Sequence, residues 1–409
     1  MSSAIPFKTV CTRIFILITL SLSVQFYFIS SRADLPFASL PSSSLTSSLP
    51  ALNDLTPSFL RSSSPVVIAY AVSITSCPSS VDAGLTDGAA VLSHSIALAS
   101  SHPSSRYRNY KLYALVHTDA DASRCTGVLR SLGYEIVVVP TPVAVPDIRG
   151  AFLREKIVKN GCCGEKELIK FYAYTLVDHP VVVHLDLDVL VLQPLDELFD
   201  LIIEGEADAL YTYDYNMVNP GRQAGTQGGF LVIRPSMSAF SEYREIVLEG
   251  DYTLETGWGK TNIGYFWGGM TFQGLVPYFY LSRHPGTERE LDRCVYNSMS
   301  DNPRSEKGLC RDGKETCKDC RETPIEDIKT VHFTICQKPW MCHMYADDKR
   351  QVNSKLCRDF HNEWFRVRKS FEVLKNTYNT HKYSGTIYQG FCSGFGEDKY
   401  RKIPFVEVV

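Results

Sequence analysis

The sequence predicts an α/β fold, a mostly parallel sheet flanked by helices, followed by a disulfide-rich C-terminal extension. Three observations predict it. From Pro65 onward, short continuous apolar runs alternate with helically spaced segments. One of those runs is broken by two aspartates. Eight of the thirteen cysteines crowd into residues 294–392, and none falls in 164–293. Composition agrees with a folded chain: 409 residues at 44% hydrophobic and 21% charged exclude a disordered or fibrous protein. Forty-two basic against forty-five acidic residues give a net charge of -3, so no nucleic-acid partner is expected.

The first element is an uncharged stretch over residues 14–31, preceded by Lys8 and Arg13. Eighteen helical residues span roughly 27 Å, enough for a thin bilayer, and the basic flank would keep the N-terminus cytosolic. Ser31-Arg32-Ala33 also offers a processing site for a cleaved signal peptide, so residues 1–33 are an anchor or a signal peptide. Either one delivers the remainder to the secretory lumen. That places the protein in the Golgi or endoplasmic reticulum membrane as a single-pass type II chain, or outside the cell if cleaved. Residues 34–64 are Ser- and Pro-rich, almost uncharged and aperiodic, as in a stem.

Residues 65–345 read as the principal domain. Strands are expected at 66–72, 110–116, 136–139 and 181–185, with helices at 88–100, 125–132 and 165–176. The uninterrupted apolar strands are those of a sheet covered on both faces. Residues 346–409 form the cysteine-containing extension. Cys317-Lys-Asp-Cys320 has the spacing of half a zinc site, but thirteen cysteines in a secreted chain favour disulfides. With Cys11 set aside in the apolar segment, an even twelve remain, of undetermined connectivity.

The chemistry concentrates in Val181-Val-Val-His-Leu-Asp186-Leu-Asp188-Val-Leu-Val-Leu192. Two carboxylates in an otherwise buried run would cost several kcal/mol each without a compensating cation. Their i, i+2 spacing puts both on one face of an extended backbone, and open α/β sheets place ligands at strand carboxyl ends. A hard divalent ion against a diphosphate fits such a pair; two acids capping a turn or paired with Lys or Arg is the structural alternative.

Four blocks in order resemble the glycogenin-like, family 8 glycosyltransferases over about residues 66–340: Glu167-Leu-Ile-Lys170-Phe-Tyr-Ala-Tyr, Asp186-Leu-Asp188, Gln227-Gly228-Gly229-Phe-Leu-Val-Ile-Arg-Pro-Ser236, and His332-Phe-Thr-Ile-Cys-Gln-Lys338-Pro-Trp340. The resemblance implies a GT-A-like nucleotide-binding sheet and a metal-dependent, retaining transferase. It would move a hexose or pentose from a nucleoside-diphosphate sugar, UDP foremost, to a glycan, glycolipid or glycoprotein acceptor. By the same resemblance Asp186, Asp188 and His332 would hold Mn²⁺ (or Mg²⁺). Lys170, Asp186, Gln227, Gly228 and Lys338 would meet the nucleotide sugar, and Gln273 and Lys338 would serve catalysis. Asp214 is a further acid in the same region and a candidate catalytic residue, with a turn cap as the alternative. Departures from the family pattern are Ile335 for a glycine, Gln227-Gly228 for Asn-Ser, and Phe272 for an aspartate, which argues against a carboxylate nucleophile there. The rival readings are a non-catalytic carbohydrate-binding or scaffolding protein on a decayed transferase fold, and a nucleotidyltransferase or hydrolase. The oligomeric state is not predicted.

Overall fold

The apolar run expected at 66–72 forms β1 (Val67–Ile74), the centre of a seven-stranded sheet in this computed structural model. The structure describes residues 65–77, 83–120, 122–217, 223–264, 266–342, 354–379 and 387–404. The N-terminal apolar segment, the stem and Cys11 lie outside the described residues. No helix among the described residues is long and apolar enough to cross a membrane.

Helix α1 (Ala83–Ser101) leads to β2 (Asn109–His117), α2 (Ala122–Ser131) and β3 (Tyr134–Val139), all close to their expected positions. After α3 (Ala151–Lys156), the expected helix at 165–176 is present as a 3₁₀ helix, Gly164–Thr175. Its three-residue period eclipses positions i and i+3, so Glu167 and Lys170 line up along one edge. The chain continues through β4 (Val182–Leu185), β5 (Val189–Val191), α4 (Asp196–Ile203), β6 (Ala209–Asp214), β7 (Gly225–Ile233) and α5 (Met237–Glu249). A short hairpin, β8 (Tyr252–Thr253) with β9 (Gly257–Trp258), precedes α6 (Phe272–Tyr278) and β10 (Glu288–Glu290). The final elements are β11 (Thr330–His332) and α7 (Ser354–Leu374).

The sheet runs β10-β6-β7-β4-β1-β2-β3, and β7 alone is antiparallel to its neighbours. This is the mostly parallel sheet the sequence predicts. Alternate residues of β1 go to opposite faces, as the two-residue period of a strand requires. Ala69 and Ala71 join Phe171, Tyr174, Leu231 and Phe272 on one side; Ile68, Tyr70 and Val72 join Leu92, Phe199 and Val232 on the other. A third core, around Phe333, Trp340, Trp364 and Phe365, seats α7.

All eight cysteines of residues 294–392 are paired: Cys294–Cys320, Cys310–Cys317, Cys336–Cys357 and Cys342–Cys392. Cys317 and Cys320 sit in different disulfides, which rules out their joint use as zinc ligands. A fifth disulfide, Cys77–Cys125, ties the end of β1 to α2.

Candidate active site

The two aspartates do not share one continuous strand. The chain leaves β4 at Leu185, turns through Asp186–Asp188, closed by Val189 N–H donating to Asp186 O at 3.1 Å, and re-enters as β5. This turn positions the site. It frees β5 from the main sheet to pair antiparallel with β11, with His332 opposite Val189, and Phe333 N–H donates to Asp188 O at 3.0 Å. Asp186, Asp188 and His332 consequently converge, with their ligand atoms all within 4.8 Å of one another. Asp188 Oδ1 lies 3.3 Å from His332 Nε2. The separations suit a divalent cation that binds oxygen and imidazole ligands at about 2.0–2.2 Å.

Three neighbours complete the electrostatics. Lys338 pairs with the other oxygen of Asp188 and donates to Phe333 O at 2.6 Å. Burial alone would raise the Asp188 carboxyl, but His332 and Lys338 outweigh it and hold it well below the usual carboxylate range. Lys170 is buried, donating to Asp186 Oδ1 at 2.9 Å and to Gly228 O at 3.0 Å, with its ammonium 5.3 Å from the centre of the Phe272 ring. Burial would pull Lys170 down, yet Asp186 and then Glu167 keep it above the ordinary lysine range.

Gly229 on β7 makes room for the imidazole: a Cβ there would fall 2.2 Å from His332 Cε1. Gly228 is different, since its Cβ would meet nothing nearer than Gln273 Cγ at 3.4 Å. Sterics do not require glycine at 228. Gln273, in the first turn of α6, packs close to Gly268 and Gly228, on the same side as Lys170. Gln227 is buried, and its side-chain oxygen accepts from Gly229 N–H at 2.7 Å and from Asn297 Nδ2 at 3.2 Å. Asp214 ends β6 and is buried, accepting from Asn216 N–H at 3.1 Å. Loss of hydration pushes its carboxyl up to about 6. It is not one of the converging trio.

An open cleft of about 360 Å³ adjoins Asp188 and Lys338. Its wall includes Ser73, Thr75 and Leu187, at the carboxyl ends of β1 and β4 where α/β sheets bind ligands, together with Gly84 of α1 and Trp340. Ser73, Thr75 and His184 lie at the site without a sequence motif to mark them. His184 is fully buried beneath the site, with Nε2 2.8 Å from Ser73 Oγ. Burial, then Lys170, lowers it to about 3, so it is neutral. Its place in a buried strand gave no signal. Gly229 could have been found, as a glycine pair in a strand marks close approach of another group.

No protein-family model matches the chain, and comparison with curated proteins finds no match. Among solved structures, the apo form of mouse xyloside xylosyltransferase 1 aligns at 14% identity over 67% of this chain and 100% of that one, with a TM-score of 0.42. The glycosyltransferase GlyE of Streptococcus pneumoniae aligns at 12% over 76% and 65%, with 0.40. The galactosyltransferase LgtC, in complex with donor and acceptor sugar analogs, aligns at 15% over 76% and 100%, with 0.36. At these identities and scores the similarity assigns neither family nor activity to this chain.

Proposed function

We propose that the protein is a metal-dependent glycosyltransferase that moves a sugar from a nucleoside diphosphate, UDP foremost, to a glycan, glycolipid or glycoprotein acceptor. One observation carries the reading: Asp186, Asp188 and His332, far apart in sequence, converge beside a cleft whose rim also holds Lys338. A divalent cation bound by this trio, Mn²⁺ or Mg²⁺, would supply Lewis-acid stabilisation of the charge that develops on the diphosphate as the sugar bond breaks. Asp186 and Asp188 would hold it through oxygen and His332 through Nε2.

The protein's own groups do the rest. Lys338 offers an ammonium to the leaving diphosphate, and Lys170 fixes the Asp186 carboxylate through its bond to Gly228 O. Gln273, beside Gly228, would meet the donor sugar near its reacting carbon. No carboxylate stands at Phe272, where the family carries one. We therefore favour attack by the acceptor hydroxyl on the face of the departing phosphate; retention of configuration is what the family resemblance implies. Residues 1–33 would anchor the chain, leaving the catalytic part in the lumen of the Golgi or endoplasmic reticulum. Five disulfides among the described residues support an oxidising compartment.

The test is Mn²⁺-dependent UDP binding by calorimetry, for wild type and Asp188→Asn. The substitution keeps shape and removes one charged ligand, so metal and nucleotide affinity should fall together. Equal affinities, or wild-type binding indifferent to chelator, would show the aspartates to be structural.

A further inference from the structure

Among the described residues, ten cysteines are in disulfides and two are not: Cys162, exposed, and Cys163, half-buried. These two are adjacent in sequence, and their sulfurs lie 2.7 Å apart. They occupy a turn between Gly161 and Gly164, both with positive φ, closed by Gly164 N–H donating to Asn160 O at 3.0 Å. Cys162 donates to Glu167 Oε1 at 3.0 Å. The other oxygen, Glu167 Oε2, accepts from Thr271 Oγ1 at 2.7 Å. Thr271 immediately precedes α6, the helix that carries Gln273. Asn160 Oδ1 accepts from Met270 N–H at 3.0 Å, so the cysteine turn is fastened to the 268–273 segment at two points.

We propose that Cys162 and Cys163 form a thiol–disulfide exchange site that closes reversibly to a vicinal disulfide when a small disulfide, such as oxidised glutathione, is the oxidant. The two thiols are unequal. Cys163 is held below the ordinary thiol range, first by the Cys162 sulfhydryl, whose single proton lies between Cys163 Sγ and Glu167 Oε1, and further by Thr75, whereas Cys162 is held above it. Cys163 is the better first nucleophile. Cys163 gives its proton to water and its thiolate attacks one sulfur of the small disulfide; that S–S bond breaks, one small thiolate departs and is protonated from water, and a mixed disulfide forms on Cys163. Cys162 then passes its proton to Glu167 Oε1 and attacks Cys163 Sγ. The second small thiolate leaves and takes up that proton. In sum, two protein thiols are oxidised and one small disulfide is reduced to two thiols. Closure withdraws the S–H that Glu167 Oε1 accepts and reshapes the 160–164 turn, whose Asn160 holds Met270 N–H, and so loosens the segment ahead of α6. The site stands apart from the transferase reading, because its readouts are thiol chemistry and amide exchange.

The test uses the full chain, equilibrated in glutathione buffers of graded poise, alkylated, and mapped by mass spectrometry beside a thermal melt. The peptide holding residues 162 and 163 should lose two hydrogens and both alkylation sites as oxidised glutathione rises, and regain them under mild reduction that spares the other five disulfides. Cys162→Ser should stall as a stable glutathione adduct on Cys163; Cys163→Ser should react far more slowly. Hydrogen exchange at residues 268–274 should quicken on oxidation of wild type and stay constant in the double serine variant. Two alkylatable thiols persisting in a folded chain at the most oxidising poise would overturn the proposal. So would a stable mixed adduct on wild type, or one zinc per chain that Cys162→Ser releases. Unchanged exchange at 268–274 would overturn the link to α6.

Discussion

Replacing Gly229 by alanine tests whether His332 belongs to a metal centre, because the structure ties that glycine to nothing else so tightly. The added Cβ would stand 2.2 Å from His332 Cε1 and under 3 Å from both ring nitrogens. Ordinary contact begins near 3.4 Å, so the imidazole must move by about 1 Å from its present place 3.3 Å from Asp188 Oδ1. A misplacement of about 1 Å in a reacting constellation costs on the order of 10²-fold, or about 2.7 kcal/mol. Gly229→Ala should therefore weaken Mn²⁺-dependent UDP binding and lower turnover by on the order of 10²-fold. Gly228→Ala, one residue earlier and with room for its Cβ, should leave both within a few-fold. Calorimetry with nucleotide titrated into Mn²⁺-loaded protein, and nucleotide release from a panel of donors, give the two readouts, with a thermal melt to confirm folding. If a folded Gly229→Ala binds Mn²⁺ and UDP as wild type does, His332 is no metal ligand and the reasoning fails.

The remaining predictions follow from neighbouring groups. Lys338→Ala leaves the three ligands in place but removes a cation from the leaving group, so turnover should fall by on the order of 10²-fold; donor-dependent nucleotide release decides this. Asp214 has a folded value raised to about 6 from an ordinary 3.8, so its stabilising effect is complete below pH 4 and lost as pH rises through 6. Asp214→Asn, measured in chelator, should match wild type near pH 4 and exceed it by up to about 3 kcal/mol at pH 8, whereas a gap independent of pH would refute the assignment. Arg368 is fully buried, pairs with Glu372 at 2.9 Å and lies 3.7 Å from Asp87, which Tyr400 and Ile403 also bind. Arg368→Met removes the cation paired with buried Glu372 and the one beside Asp87, which keeps its bonds from Tyr400 and Ile403, and should cost roughly 3–5 kcal/mol in denaturant unfolding.

Much of this molecule was fixed by local sequence. The continuous apolar run at 66–72 predicted β1, because a strand covered on both faces needs no polar alternation, and shorter apolar stretches predicted β2 to β4. Cysteine density in residues 294–392 predicted the disulfides found there, and Asp186-Leu-Asp188 marked where charge interrupts burial. Pairings between distant segments left no such trace. That Asp186–Asp188 is a turn, which lets β5 leave the main sheet and take β11 as partner, depends on the His332–Val189 register and is invisible in either segment alone. The same holds for Gly229 beneath the imidazole and His184 beneath Ser73, and for Asp87 with Arg368, where α1 meets α7. Local pattern reports how each segment divides its surface between water and core. Which charges, hydroxyls and rings then share a buried space is decided only when segments far apart in the chain pack together, since a buried polar group is set by the partner it finds there.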